Sequence, residues 1–305
     1  LVTTKKGARD GNLHTTYTGT VSFDVIKREL DMLSADEYRA NRLASGVGYD
    51  LGGSVDWLDA VSRVGVRTQH SLSLSGGSAR SNYRVSADYR SANGIDLYSG
   101  REEYGARVAL NHTTKGGLIT FSLNVAPRIA YRKNASWDVF RNAVEANPTT
   151  PIMDPKDPSL YYNFKGQAAG YNPLELLKKD KSTGTTKLLD WDGTVKLNLL
   201  PLLLNKEDRQ TLTTQLTFAD HQYDNYNQWF RPSTSTLAIN AGREGEASQD
   251  YSKSAIRTLE WVTNYANSFG NHNFKVMAGY SYQYEQYSGL NAANKDFPND
   301  ALEDN

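Results

Sequence analysis

The chain has 305 residues with 34 basic and 34 acidic side chains, so its formal charge is zero and no global field draws it to nucleic acid or an anionic surface. It has no cysteine, which excludes disulfides and zinc–thiolate sites, and it uses 19 tyrosines and 5 tryptophans against 3 methionines. No run of about 18 apolar residues is present, so nothing reads as a transmembrane helix; the polar mean hydropathy still suits a membrane barrel, in which only alternate residues meet lipid.

The opening Leu1-Val2-Thr3-Thr4-Lys5-Lys6-Gly7 has no signal-peptide pattern and reads as the middle of a fold. Ala301-Leu302-Glu303-Asp304-Asn305 lacks a terminal aromatic strand, so truncation at both ends is the expectation. Between them, period-two alternation predicts about nine strands, at 12–23, 68–76, 81–92, 103–113, 117–131, 192–200, 209–225, 251–268 and 273–288. In the third, Tyr83, Val85, Ala87 and Tyr89 alternate with Asn82, Arg84, Ser86, Asp88 and Arg90, which puts the charges on one face. In the last, Phe274, Val276, Ala278, Tyr280, Tyr282 and Tyr284 form the longest stripe, the three tyrosines being expected near the strand's outer end as structural groups. Such lengths suit a bilayer crossing, which takes about 9 to 11 tilted residues.

The connections alternate between long and tight, as in outer-membrane barrels with short periplasmic turns and long outer loops. Long ones run over 24–67, 132–191 and 226–250; tight ones lie at Gly77 to Arg80, Thr114 to Gly116 and Gly270-Asn271-His272. Three short helices are predicted within the long loops. Ser34-Ala35-Asp36-Glu37 has capping-box chemistry, Ser54-Val55-Asp56-Trp57 starts a second, and Trp137 to Ala146 is stopped by Asn147-Pro148.

Several motifs follow this order. The segment Leu1 to Gly7 is followed by Tyr17-Thr18-Gly19, then Leu33-Ser34-Ala35-Asp36-Glu37-Tyr38 and Asp56-Trp57, then Gln69-His70-Ser71-Leu72-Ser73-Leu74-Ser75-Gly76-Gly77-Ser78 with Asn82-Tyr83 and Gly94-Ile95. Glu145-Ala146-Asn147-Pro148-Thr149, Pro151-Ile152 and Tyr171-Asn172-Pro173-Leu174 come later. In content and order these resemble the SusC/RagA-type TonB-dependent outer-membrane transporters. The resemblance implies an all-β fold: a transmembrane antiparallel β-barrel fragment, about 9 of an implied 22 or so strands, with long extracellular loops carrying short helices. It implies that residues 1–10 end a plug domain and 11–305 begin the barrel wall.

What the resemblance implies for function is TonB-dependent import of nutrients, most often oligosaccharides or other glycans, across the outer membrane of a Gram-negative bacterium. The implied partners are a SusD-like surface lipoprotein, the TonB–ExbB–ExbD complex acting through an N-terminal segment outside this sequence, the substrate and outer-membrane lipid; no nucleic acid, enzymatic role or cofactor is implied. A peptide importer of the same family, or a structural, adhesive surface protein without transport, are the alternatives. An open sheet would leave two unpaired edges, which lipid cannot satisfy, so further strands must complete the barrel.

Other candidate chemistry is thin. His14, His70, His112, His221 and His272 lack metal-site spacing, so no catalytic or metal role is expected and they read as strand-face or turn residues. Asp154-Pro155-Lys156-Asp157-Pro158 reads as a turn, although its two carboxylates could offer oxygens to calcium. Gly76-Gly77 and Gly116-Gly117 read as hairpin turns, having no helix or lysine after them to make a phosphate loop. Sugar rings stack on exposed aromatic faces while their hydroxyls bond polar side chains, so two loop clusters are candidate substrate contacts. The first is Tyr161, Tyr162 and Tyr171 with Phe164; the second is Tyr223, Tyr226, Trp229 and Arg231 with Phe230. The competing reading for both is an aromatic belt that anchors the wall at the membrane interface.

Overall fold

The structure is a computed structural model that describes residues 7–27, 30–203 and 210–302. Residues 1–6, which carry most of the expected plug end, and residues 204–209 lie outside the described residues. Nine strands form one antiparallel sheet in sequence order. They are β1 (His14–Asp24), β2 (Gly65–Gly77), β3 (Ser81–Asn93), β4 (Gly100–Thr113), β5 (Ile119–Lys133), β6 (Lys181–Asn198), β7 (Gln210–Arg231), β8 (Glu246–Phe269) and β9 (His272–Lys295). The fold is all-β, and among the described residues each strand pairs only with its neighbours in sequence.

Register decides what each face presents. Tyr83 pairs with Leu110, Leu110 with Leu123, Leu123 with Gly193, Gly193 with Phe218, Phe218 with Leu259, and Leu259 with Tyr282, so one row of apolar groups crosses seven strands. Tyr83, Leu110, Leu123, Phe218, Leu259 and Tyr282 are all left more than a third exposed, which marks this face as having no protein cover. The opposite face carries Arg84, Asp88, Arg90, Glu103, Arg107 and Arg128. On β9 the apolar run from Phe274 to Tyr284 rises about 33 Å along the strand, or about 25 Å at a 40° tilt, which matches the apolar band of a membrane barrel.

Four strands are longer than the alternation predicts. β6 begins at Lys181 where the pattern gives 192, β7 ends at Arg231 where it gives 225, and β8 and β9 run from Glu246 and to Lys295. From the level of Tyr284 the otherwise apolar face turns charged: Asp220 lies 3.9 Å from Arg257, which is opposite Tyr284, and farther along Lys187 pairs with Asp224 and Asp224 with Lys253. Where water meets both faces nothing selects an apolar side, so the sequence loses its alternation although the hydrogen-bond ladder continues. Tyr280, Tyr282 and Tyr284 are therefore mid-strand and not near the outer end of β9.

The sheet itself encloses no core; the buried apolar cluster lies in the long connections. It comprises Trp57, Val61, Val139, Ala143, Ala146, Phe164, Ala169, Leu176 and Leu177, with Leu97, Tyr98 and Leu237 packed against it, so the connections after β1, β3, β5 and β7 all contribute. Their helices are α1 (Ala35–Tyr38), α2 (Trp57–Val61), α3 (Val139–Glu145), α4 (Pro173–Lys179), α5 (Leu200–Leu203, after β6) and α6 (Thr236–Asn240). The capping box at Ser34 is formed, with Glu37 N–H donating to Ser34 Oγ at 3.3 Å and Ser34 N–H to Glu37 Oε2 at 2.9 Å. The cap of α2 is Asp56 and not Ser54, because Asp56 Oδ1 accepts from Asp59 N–H at 3.0 Å. The sequence reading missed α4, α5 and α6. For α4 the signal was available: Asn172 caps it by accepting from Leu174 and Glu175 N–H, and Pro173 occupies the first turn, where its missing N–H costs nothing.

Candidate functional site

Two surfaces have the depth and polar chemistry to hold a ligand: the charged face of the sheet and a cleft in the loop cap. On the charged face, Glu103 is buried and receives Arg101 at 2.5 Å and Arg128 at 3.1 Å, and Arg128 lies 3.9 Å from Asp88. Pro127 offers no N–H, and the β4–β5 pairing lapses between Gly105–Arg128 and Val108–Val125. A cavity of about 500 Å³ opens there, lined by Arg84, Asp88, Arg107, Pro127, Arg128 and Asp190. Asp190 also pairs with His221 across β6 and β7.

Nearer the loop cap, Arg132 spans from β5 to β7. It donates through Nη2 to Asn225 Oδ1 at 2.8 Å and Asn227 Oδ1 at 3.0 Å, passing over Gly184 of β6. A Cβ at Gly184 would sit 2.8 Å from Asn227 Oδ1 and 2.9 Å from Arg132 Nη2, so the bridge requires glycine there. Gly184→Leu is expected to eject the guanidinium and destabilise the sheet by about 1–3 kcal/mol through overpacking. The urea midpoint of the folded protein should fall at constant slope; an unchanged midpoint would contradict this geometry.

The structure divides the second aromatic cluster. Tyr223, Tyr226, Trp229 and Arg231 all lie on β7, not in a loop. Tyr223, Trp229 and Arg231 share the charged face with Asn225 and Asn227, whereas Tyr226 points to the opposite face, in register with Tyr251 of β8. Trp229 is stacked by Arg231, whose guanidinium carbon is 4.9 Å from the ring centroid. Arg231 is itself engaged by Asp180 at 2.7 Å. Burial of Asp180, at the end of α4, pushes its carboxyl above the ordinary range, with Arg231 pulling the other way.

Two members of the first cluster are partly buried in the loop cap. Tyr162 and Tyr171 pack against the loop core, and Tyr162 stands edge-on to the fully buried Phe164 at 6.3 Å. Tyr161 is at the margin, with Lys179 Nζ 5.5 Å from its ring centroid. Burial, then the negative charge of Glu175, raises its phenol pKa. The Asp154–Pro158 segment uses its carboxylates locally, Asp154 accepting from Lys156 N–H at 2.8 Å and Asp157 from Ser159 N–H at 3.0 Å, as plain turns do.

Alternation could not reveal the cap cleft, because its walls come from segments about 100 residues apart. Gly53 N–H donates to Thr149 O at 2.7 Å and Val55 N–H to Pro148 O at 3.0 Å, clamping the connection after β1 to the one after β5. Beside this clamp is a cleft of about 770 Å³ lined by Tyr38, Arg42, Tyr49, Asp56, Trp57 and Gln167 among others. Arg39 braces one wall, bonding Asp50 at 2.9 Å and Gly53 O at 2.7 Å, and its hydrogen bond lowers the Asp50 pKa. The motifs Leu33 to Tyr38, Asp56-Trp57 and Glu145 to Pro148, which carry part of the family resemblance in the sequence, all border this cleft.

No family model matches the sequence. It is 34% identical over 173 residues to the TonB-dependent receptor SusC of Bacteroides thetaiotaomicron, 54% of this chain and 17% of that protein. It is 27% identical over 310 aligned positions to the TonB-dependent receptor P3 of Formosa agariphila, 97% of this chain and 29% of that protein. Among solved structures, the RagAB peptide importer matches in fold in its open-open state with a TM-score of 0.75 and in its closed-closed state with 0.73, each at 16% identity over 98% of this chain and 37% of the matched chain. The chain thus spans well under half the length of these relatives. Motif order and sequence likeness point to the same relatives, the TonB-dependent receptors SusC and P3, which this chain resembles over part of their length, and the nine-stranded sheet shares the fold of the RagAB importer.

Proposed function

We propose that this chain forms a portion of the wall of a TonB-dependent importer in the outer membrane of a Gram-negative bacterium, with residues 11–305 in the barrel and 1–10 ending the plug. The single observation that carries this reading is the two-sided register: an exposed apolar row across seven strands, backed by a face of arginines and carboxylates. An apolar face of that height suits lipid, and the charged face suits a polar lumen. The three long connections and the six-residue one after β3 then lie outside the cell, where their cap cleft is placed to meet a SusD-like lipoprotein, and TonB–ExbB–ExbD acts through the plug.

For cargo we favour oligosaccharides. Tyr223 and Trp229 alternate with Asn225 and Asn227 on the lumen face, which combines stacking surfaces with hydroxyl partners. Peptide cargo is the second reading, favoured by the ion-paired cavity at Arg84, Arg107 and Arg128. Trp229→Ala in the full-length protein is expected to weaken oligosaccharide binding by about 3- to 10-fold, the equivalent of one stacking contact. Calorimetric titration with oligosaccharides and with peptides decides between the readings: peptide binding indifferent to Trp229 supports the second, and no binding of either class defeats import at this wall.

A further inference from the structure

The apolar row has one gap. Gly193 stands between Leu123 and Phe218, and nothing lies within 4 Å of the place a Cβ would occupy. In the next row toward the short turns, His112, Phe121, Val195 and Leu216 are in register, so the gap is walled on several sides. The result is a groove of about 530 Å³ on the lipid-facing side, lined by Tyr83, Leu110, Phe121, Leu123, Gly193 and Val195. One end is polar. Ser81 Oγ and His112 Nδ1 lie 2.7 Å apart there, at the start of β3 and the end of β4.

Two turns flank that polar end. The β2–β3 turn carries Arg80 and the β4–β5 turn carries Lys115, both exposed, and neither turn contains an acidic residue. The turns are adjacent, since Thr113 N–H donates to Arg80 O at 2.7 Å. An apolar channel that ends on a hydroxyl–imidazole pair beneath two cations has the order of groups of an anionic phospholipid: chain, glycerol ester, phosphate. Scattered apolar side chains would need no such explanation; a groove opened by a missing side chain and flanked at its polar end by two basic turns does.

We propose that this groove seats one acyl chain of an anionic membrane phospholipid whose headgroup lies against Arg80 and Lys115. The inference rests on the reading that this face of the sheet meets lipid. Full-length protein would be reconstituted in vesicles of equal phosphatidylethanolamine and phosphatidylglycerol, extracted in detergent, and its retained lipid counted by native mass spectrometry. Retention of phosphatidylglycerol over phosphatidylethanolamine by about tenfold is expected from two cations at a membrane surface. The double variant Arg80→Glu/Lys115→Glu, confined to exposed turns, should lose that preference, and Gly193→Phe should lose retained lipid of both kinds. Equal retention of the two lipids by the unaltered protein, or a preference that survives the double variant, overturns the proposal. Protease protection in the same vesicles separates the two readings: protein that inserts but does not discriminate sinks the lipid site alone, while protein that fails to insert sinks the wall as well.

Discussion

Trp57→Ala is expected to open the loop cap while leaving the sheet intact. Trp57 is 3% exposed, stands edge-on to Phe164 with ring centroids 5.4 Å apart, and donates its Nε1–H to Asn147 O at 3.3 Å. It is thus the largest side chain in the cluster and the one that joins α2 to the connection after β5 by both packing and a hydrogen bond. Truncating a buried Trp to Ala costs about 3–5 kcal/mol, from lost burial and from the cavity left behind. Hydrogen exchange of the amides of Gly53 and Val55, which bond to Thr149 and Pro148, should accelerate by about 100-fold or more, at roughly tenfold per 1.4 kcal/mol. Amides in the middle of β3 and β4 should keep their wild-type rates. Acceleration spread evenly over cap and sheet would mean that the two are one cooperative unit.

The second large effect is expected from Glu175→Ala. Glu175 is 3% exposed; its Oε1 accepts from Thr236 N–H at 3.0 Å, its Oε2 from the Thr236 hydroxyl, and Lys179 Nζ lies 3.4 Å away. One carboxylate therefore caps α6 and holds it against α4, joining connections that are 61 residues apart. Removing one member of a buried charged network costs about 3–5 kcal/mol because the remaining cation and N–H lose their partner. Limited proteolysis should then cut within 232–245 while the 134–180 connection stays protected. Glu175→Gln retains acceptor and shape for Thr236 but not the charge, so it should fall between the two. If glutamine is as damaging as alanine, the ion pair with Lys179 is the contact that matters.

The regions of this molecule that the sequence disclosed are those whose two faces differ in polarity. Tyr83 to Tyr89 and Phe274 to Tyr284 alternate apolar with polar side chains, and both segments are strands. Polar strand such as Lys181 to Thr186 has no such asymmetry and reads as loop, which is why Trp229 and Arg231 were assigned to a loop and why Tyr226 was grouped with residues on the opposite face. The cap was hidden for another reason. Its clamp joins Gly53 to Thr149, and its helices are short, so neither periodicity nor spacing carries the information. The capping signals at Ser34, Asp56 and Asn172-Pro173 and the stop at Asn147-Pro148 were locally readable, and they give helix ends without saying what the helices pack against.

The position of the buried cluster has a mechanical consequence. Each strand is held only by its neighbours in sequence, so the sheet alone behaves as a zipper whose hairpins can separate singly. At one end the zipper is clasped, because the connections after β1, β3, β5 and β7 share a single core. At the other end, tight turns such as Gly270-Asn271 join strands in pairs, and among the described residues single hydrogen bonds such as Thr113 N–H to Arg80 O, and no shared buried cluster, link one pair to the next. Fraying must therefore be polarised: thermal opening starts at the short-turn end and stalls toward the cap, so a force applied from that side meets resistance that increases along the strands.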